Sequence, residues 1–316
     1  MKLLTEGDLR RLLTPDMAIE SSARAYVALY HGEILVPVRS EINRPDGRGV
    51  VFAMPGYLPG RVFGLKFIAT RDAAASAMVM LFDSESLMPL GLFSADHLTD
   101  VRTGAGIAAA TRLLARQDAG CHVVFGAGRL SGPCARLVAH VRPIGRTVIV
   151  GRTPGRAEAL AATLRAEGIA AEAGSDPAVV AEADIVTTVT NSAAPVFPGR
   201  LLRPGTHVNL GGAYRPDTRE ADDDLARVGR FWCDSLEACI SRAGDLFQPL
   251  RSGVLDRARV VGEIGGAIAG ALPGRVGAEE VTAFKSLGNA AQDLCLAEDV
   301  LRRTALDEVA EWQPDA

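Results

Sequence analysis

Lysine is almost missing from this chain: of 34 basic residues only Lys2, Lys66 and Lys285 are lysine, and the rest are arginine. Genome composition accounts for that bias. A lysine inside an apolar segment therefore stands out, because the locally favoured cation has not replaced it. Aromatic residues are scarce at 5%, so the core must rest on Ala, Val, Leu and Ile, which a hydrophobic share of 48% supplies. A basic excess is also missing. The formal net charge is −4, which argues against a general nucleic-acid binder, since that needs a basic face to displace counterions. No stretch reaches the roughly 18 apolar residues of a membrane span; GGAIAGALPG is too short. In MKLLTEGDLRRLLTPD, charges interrupt the apolar core that a signal peptide needs. The five cysteines (121, 134, 233, 239 and 295) are scattered, odd in number and without CxxC spacing. They read as reduced buried thiols rather than as a disulfide framework or zinc site. A cytoplasmic protein without membrane or nucleic-acid partners is expected.

What is present divides the chain in two. Its 316 residues are about twice the usual domain length. Thr14-Pro15-Asp16 opens a helix to about Gly32, with Thr14 as cap and Pro15 in the first turn. Strand-like runs follow at 35–44, 49–55, 61–69, 76–86 and 89–95, joined by turn-rich links, and predict a mostly antiparallel sheet. A helix is expected from about Ala95 to Arg116. From Gly120 the rhythm changes to strands alternating with helices: strands at 121–125, 146–150, 183–190, 205–212 and 230–234, and helices at about 130–141 and from Pro154 onwards. That alternation predicts a parallel, doubly wound sheet. After about residue 275 a strand, a turn and a long amphipathic helix close the chain. The expected class is α/β: a Rossmann dinucleotide-binding domain over 119–288 and an α+β domain over 1–118, joined by a C-terminal helix over 289–316.

The chemistry begins at GAGRLSG, Gly126 to Gly132. A lone GxGxxG pattern is weak, but this one lies between an apolar strand and a helix. Gly126 permits the tight turn, and Gly128 lets the backbone approach a pyrophosphate at the helix's positive end. The third small position falls on Ser131, giving GxGxxS, with Ala127, Arg129 and Leu130 completing the loop. An NAD site usually ends the second strand in an acid that accepts from the ribose hydroxyl. Here Gly151-Arg152-Thr153 stands there, followed by Arg156. Arginine and a hydroxyl suit a 2′-phosphate, so NADP is favoured over NAD. Further cofactor contacts are expected from Thr103, Thr190, Asn191 and Gly211, and from Lys285, Ser286 and Gly288 in a segment that either closes the cofactor side or starts a helix.

Three cations lie in apolar segments of the first half: Arg39 after VPV, Lys66 in VFGLKFIA, and Arg102 opening VRTGAGIAAA. Buried cations are costly unless paired, so a shared anionic ligand explains all three together. Arginine forks match carboxylates, and a desolvated lysine exchanges protons near neutrality. Taken singly, each reads rather as an internal salt bridge or a snorkelling side chain. The five histidines are isolated and no metal site is expected. Asp222-Asp223-Asp224 reads as a solvated turn or helix start.

PVRSEI, AMPGYL, GLKFIA, LTDVRTGAG, FGAGRLS, HVNLGGAYRPDTRE, CDSLEACISRAGDL and FKSLGNAAQD, in this order and spacing, resemble the ornithine cyclodeaminase/mu-crystallin family over nearly the whole length. The resemblance implies a homodimer, with a substrate-binding and dimerisation domain in which Arg39, Lys66 and Arg102 surround a substrate carboxylate beside the nicotinamide. Two departures bear on activity. Tyr214 stands where cyclodeaminases carry an aspartate, and Val50-Val51-Phe52-Ala53 offers no acid before Met54-Pro55. Without those carboxylates a substrate's distal ammonium has no evident partner. The resemblance therefore implies reduction of a C=N bond next to a carboxylate: a cyclic ketimine such as pyrroline- or piperideine-2-carboxylate, or an imino acid formed from a 2-oxo acid and an amine. In that reading Tyr214 lines the pocket and is a candidate proton donor, or is only a pocket wall. The alternatives are an NAD-dependent amino-acid dehydrogenase or cyclodeaminase, and a small-ligand and NADPH binding protein.

Overall fold

The computed structural model describes residues 1–72, 74–303 and 309–312. The chain forms two compact units, Met1–Arg102 with Gly288–Ala316, and Thr103–Leu287. In chain order the elements begin with β1 (Lys2–Leu4), α1 (Glu6–Leu12), α2 (Pro15–Tyr30), β2 (Ser40–Asn43), β3 (Val50–Leu58), β4 (Val62–Arg71), β5 (Ala74–Asp83), β6 (Pro89–Ser94) and α3 (Asp96–Leu114). They continue with β7 (Cys121–Phe125), α4 (Ser131–Val141), β8 (Arg146–Val150), α5 (Pro154–Ala166), β9 (Ala171–Gly174), β10 (Ile185–Thr188), β11 (His207–Leu210), α6 (Asp223–Val228) and β12 (Arg230–Cys233). Last come α7 (Leu236–Arg242), α8 (Gly244–Ser252), β13 (Val260–Glu263), α9 (Ile264–Ile268), β14 (Thr282–Lys285), α10 (Ala290–Arg303) and β15 (Ala310–Glu311).

The first unit is a seven-stranded sheet in the order β15-β1-β6-β5-β4-β3-β2. Strands β2 to β6 form the expected antiparallel run. Strand β1 joins it in parallel beside β6, which the sequence did not signal. Alternation sets the faces. Val50, Phe52 and Met54 of β3, Val62, Gly64 and Lys66 of β4, and Val79 and Leu81 of β5 are buried together. Helix α10 lies over these strands and packs on α2. Thr14 caps α2, its hydroxyl accepting from the Met17 N–H at 3.2 Å, with Pro15 in the first turn. Of the run expected as a strand over 35–44, Ser40–Asn43 forms β2 and Leu35 makes an isolated antiparallel bridge to Tyr57; the ladder is interrupted at Pro37, which brings no N–H. Of the C-terminal helix expected over 289–316, Ala290–Arg303 is helical among the described residues. Ala310–Glu311 pairs instead with β1, and residues 304–308 and 313–316 of that expectation lie outside the described residues.

The second unit holds eight parallel strands in the order β13-β12-β14-β11-β10-β7-β8-β9. The order reverses between β7 and β10, the switch point at which such sheets bind ligands. Apolar layers cover both sheet faces, for example Val123, Val186 and Val208 on one and Val124, Ile149 and Ile185 on the other. Strands β9 and β13 and the short helices α7 to α9 escaped the sequence reading, their apolar runs being too short to show a period, whereas Asp222-Asp223-Asp224 is the helix start of α6. Asp222 caps α6 through the Asp224 and Leu225 N–H groups. The end of α3 is stabilised by Arg142, which donates to the carbonyls of Thr111, Arg112, Ala115 and Arg116, and by Arg275, which donates to that of Leu114. These are the orphan carbonyls of a helix C-terminus, where a cation is favoured. Among the described residues no helix is long and apolar enough to cross a membrane.

A buried polar chain crosses four strands of this sheet. His122 on β7 contacts the Thr187 hydroxyl at 2.9 Å, and the Asn209 amide donates to both Thr187 and Thr111. The Asn209 carbonyl faces His207 Nε2 at 3.0 Å, and His207 Nδ1 meets the Thr282 hydroxyl at 3.0 Å. Burial pushes both imidazoles down to about 3 from their ordinary 6.5, helped at His207 by Arg275. The unfolded chain takes up these protons below about pH 6.5 and the folded chain does not. Their stabilisation is therefore complete above that pH and is lost as pH falls towards 3. Urea unfolding should show a loss of about 2 kcal/mol per histidine between pH 7 and pH 5. His122→Gln removes one share of that slope, and an unchanged slope would refute the assignment.

Candidate active site

The glycine loop leaves β7 at the switch point. Gly126 has φ +119°, and a Cβ there would stand 2.8 Å from the Val189 carbonyl oxygen, so only glycine fits on either count. Its N–H donates to the Val150 carbonyl at 2.8 Å. The buried Ser131 hydroxyl accepts from the Gly128 N–H at 3.2 Å, which explains a serine at the third small position. No side chain caps the N-terminus of α4, and the space a Gly128 Cβ would occupy is open to 4 Å. A cavity of about 470 Å3 opens there, lined by Gly126, Ala127 and Gly128, by Gly151, Arg152, Thr153 and Arg156, and by Thr190 and Asn191. An extended dinucleotide fits this donor set: bare helix N–H groups for a pyrophosphate, and two exposed arginines at one end. The lining also includes Ser175, Pro177, Ser192, Pro195 and Val196, which the sequence reading missed. Their signal was their place just beyond β9 and β10, at the same carboxyl edge.

Not every expected cofactor residue lines that cavity. Arg129 is exposed on the loop, and Leu130 precedes α4. Thr103 lies half-buried in α3, and Gly211 packs where a Cβ would come 3.2 Å from Ile107. Lys285 is also outside that lining. It is wholly buried, and its Nζ donates to Asp245 Oδ2 at 2.8 Å. Burial alone would lower the ammonium's pKa, but the carboxylates of Asp245 and Glu220 outweigh it and raise the pKa above the ordinary value. Its side chain is committed to the interior because a strand ending in Lys needs a carboxylate there. Ser286 donates to Asp234 Oδ2 at 3.0 Å, so it too serves the loop's own structure.

Carboxylates at this edge hold the loops. Glu220 is fully buried and its four bonds all go to the loops after β10 and β11, of which Thr190 lines the cavity. Oε1 accepts from the Thr190 N–H at 2.7 Å and hydroxyl at 2.8 Å, and Oε2 from the N–H groups of Gly212 at 2.7 Å and Ala213 at 3.0 Å. Asp245 Oδ1 accepts from the Glu220 and Ala221 N–H groups at 2.6 and 3.0 Å. Tyr214, half-buried, directly follows the segment so fixed.

The first unit brings two of the three expected cations together on a residue that the sequence reading did not single out. Lys66 Nζ donates to Asp293 Oδ1 at 2.7 Å, with both side chains fully buried. Arg102 Nε donates to the same oxygen at 3.2 Å, and its Nη1 reaches Gln292 Oε1 at 3.5 Å. Gly288 adjoins the group, since a Cβ there would stand 2.4 Å from Arg102 Nη1. Arg39 lies 4.6 Å over the Phe52 ring, and Phe52 shares the buried face of β3 with Met54, the partner of Lys66. Asp293 is recognisable in hindsight as an acid on the buried face of α10.

A glycine loop at the switch point of a parallel sheet defines a Rossmann-type dinucleotide-binding protein. The profile of the ornithine cyclodeaminase/mu-crystallin family matches residues 3–307, and the chain belongs to that family. It is similar to a Delta(1)-pyrroline-2-carboxylate reductase of Bacillus cereus, at 30% identity over 96% of each chain. The mouse ketimine reductase mu-crystallin is 31% identical over 84% of each. Among solved structures, the Thermococcus litoralis Delta(1)-pyrroline-2-carboxylate reductase in complex with NADH and L-proline superposes with a TM-score of 0.91, at 30% identity, over 96% of this chain and 97% of that one.

Glu220→Gln replaces an acceptor by a donor that must face an N–H group. The variant should fold, as thermal unfolding will show, but bind reduced dinucleotide about tenfold or more weakly by fluorescence titration. Unchanged affinity would mean that Glu220 does not shape the cofactor wall.

Proposed function

We propose that this protein is an NAD(P)H-dependent reductase of a C=N bond adjacent to a carboxylate. The observation that carries the reading is the buried meeting of Lys66 and Arg102 on one oxygen of Asp293, in a family whose relatives reduce pyrroline-2-carboxylate and ketimines. Arg102 and Arg39 hold the substrate carboxylate, since guanidinium forks match its two oxygens. Fixing that end sets the imine carbon for attack. A bound reduced nicotinamide supplies the hydride. Addition at the imine carbon moves the C=N electron pair onto nitrogen, which must carry or receive one proton. Lys66 hydrogen-bonds the carboxylate or imine and relays that proton, and Tyr214 lines the pocket. The substrate is a cyclic ketimine such as pyrroline- or piperideine-2-carboxylate, or an acyclic imino acid. The absence of an acid among Val50-Val51-Phe52-Ala53, together with Tyr214 in place of an aspartate, disfavours ornithine cyclodeamination.

NADP is the favoured cofactor. Arg152 and Arg156 line the cavity and, among the described residues, no Asp or Glu does, which suits a 2′-phosphate better than a free ribose hydroxyl. Purified protein should oxidise NADPH in the presence of a cyclic ketimine, and Lys66→Ala should lose at least about a hundredfold in kcat. Arg152→Ala should cost at least about tenfold in kcat/KM with NADPH and little with NADH. If no ketimine or oxo-acid/amine pair consumes cofactor and Lys66→Ala behaves identically, the reading is wrong. Equal losses with both cofactors would remove the NADP assignment alone.

The working form is a homodimer. On the face of the antiparallel sheet opposite Lys66, Phe67 is 50% and Met78 47% exposed, and the two are cross-strand partners. Ile42 on β2 is 67% exposed. An apolar sheet face of this kind is characteristic of a self-complementary interface. Five free thiols and a nicotinamide-dependent reaction suit the cytoplasm. Light scattering should report a dimer, and Phe67→Glu should shift it to monomer; a wild-type monomer at working concentration would overturn the assignment.

A further inference from the structure

Asn289 stands immediately before α10, between Gly288 and Ala290. An asparagine in this position ordinarily turns its side-chain oxygen onto an N–H of the first helical turn. This one does not. Its Oδ1 and Nδ2 are both buried and neither has a hydrogen-bond partner. Four residues on, and so on the same side of the helix, Asp293 accepts from Lys66 and Arg102 with Oδ1 while its Oδ2 is buried without a partner. The residue before Asn289 abuts the Arg102 guanidinium. Two acceptors and one amide donor are thus left unsatisfied beside the cations assigned to the substrate carboxylate. A buried amide that forgoes its cap bond and finds nothing in exchange is costly unless a ligand supplies the missing partners.

The chemistry of the missing partner follows from the amide itself. Its N–H and C=O point side by side, as do the carboxylate oxygen and the N–H of an α-imino or α-amino acid. We propose that Asn289 is a substrate-binding residue that reads this pair in a bidentate manner. Nδ2 donates to the carboxylate, Oδ1 accepts from the nitrogen, and Asp293 Oδ2 accepts a second N–H where the nitrogen carries one. The inference rests on the reductase reading and adds to it. The site selects for nitrogen bearing hydrogen, so it takes the protonated imine and holds the amine product. Arg39 and Arg102 recognise any carboxylate, whereas Asn289 distinguishes nitrogen from oxygen next to it.

The test compares L-proline with tetrahydrofuran-2-carboxylate, in which ring oxygen replaces the N–H, by calorimetric titration of the full chain with saturating oxidised dinucleotide. Wild type should prefer proline by at least about tenfold. Asn289→Leu should cut the preference at least about threefold, Asp293 Oδ2 retaining the remainder, while Asn289→Asp, which keeps the acceptor and loses the donor, should weaken both ligands yet retain the preference. Asn289→Asp also covers the case in which the leucine variant does not fold. A wild-type protein that reduces imino acids while Asn289→Leu keeps the full preference overturns the proposal alone, as does loss of the preference in Asn289→Asp. Wild-type protein that binds neither compound overturns the proposal together with the reading beneath it.

Discussion

An ammonium group placed in an apolar interior must find a carboxylate or give up its proton, and both units are organised around that constraint. Two of the three lysines, Lys66 and Lys285, are fully buried, each donating to an aspartate at 2.7 and 2.8 Å. Breaking such a pair from one side leaves the other charge stranded, so each fixes the element that carries it. Lys66 ties β4 to α10, and Lys285 ties the end of β14 to the start of α8. The roles then diverge. Asp245 spends its remaining oxygen on two backbone N–H groups and closes its pair. Asp293 shares one oxygen between two cations and leaves the other bare. The first pair is complete as it stands, and the second has capacity for a ligand.

The carboxyl edge of the parallel sheet follows the same logic at longer range. Lys285 anchors Asp245, Asp245 orders the backbone at Glu220, and Glu220 anchors Thr190 and Gly212-Ala213. Thr190, which lines the dinucleotide cavity, is therefore held by residues that do not line it. Such supporting contacts hold a site to the tolerance that catalysis requires.

Legibility in the sequence tracked the range of the interaction. The strand–glycine-loop–helix unit is local, and its parallel sheet was evident from alternation alone. The loop residues Gly126 to Gly128 and Gly151 to Thr153 gather in one cavity, because both sets sit at strand ends that the fold makes neighbours. Lys66 and Arg102 stood out as cations in apolar runs, but their partner Asp293 lies 227 and 191 residues away, and nothing local marks it. Lys285 drew attention for the same reason as Lys66. Only the position of Asp245, 40 residues earlier, shows that it faces inward. Strand β1 has three residues and no period to read. Asn289 looked like an ordinary helix start, and only its missing cap bond sets it apart.

The central claim is that a hydride passes to the carbon of a C=N bond held beside a carboxylate. Reduced cofactor deuterated at the nicotinamide C4, given with Delta(1)-pyrroline-2-carboxylate, tests this directly by mass spectrometry and proton resonance of the product. The account predicts proline carrying one deuterium at the carbon bearing the carboxylate, with stoichiometric cofactor oxidation. Proline without deuterium at that carbon, or turnover that releases ammonia without net oxidation of cofactor, would contradict it.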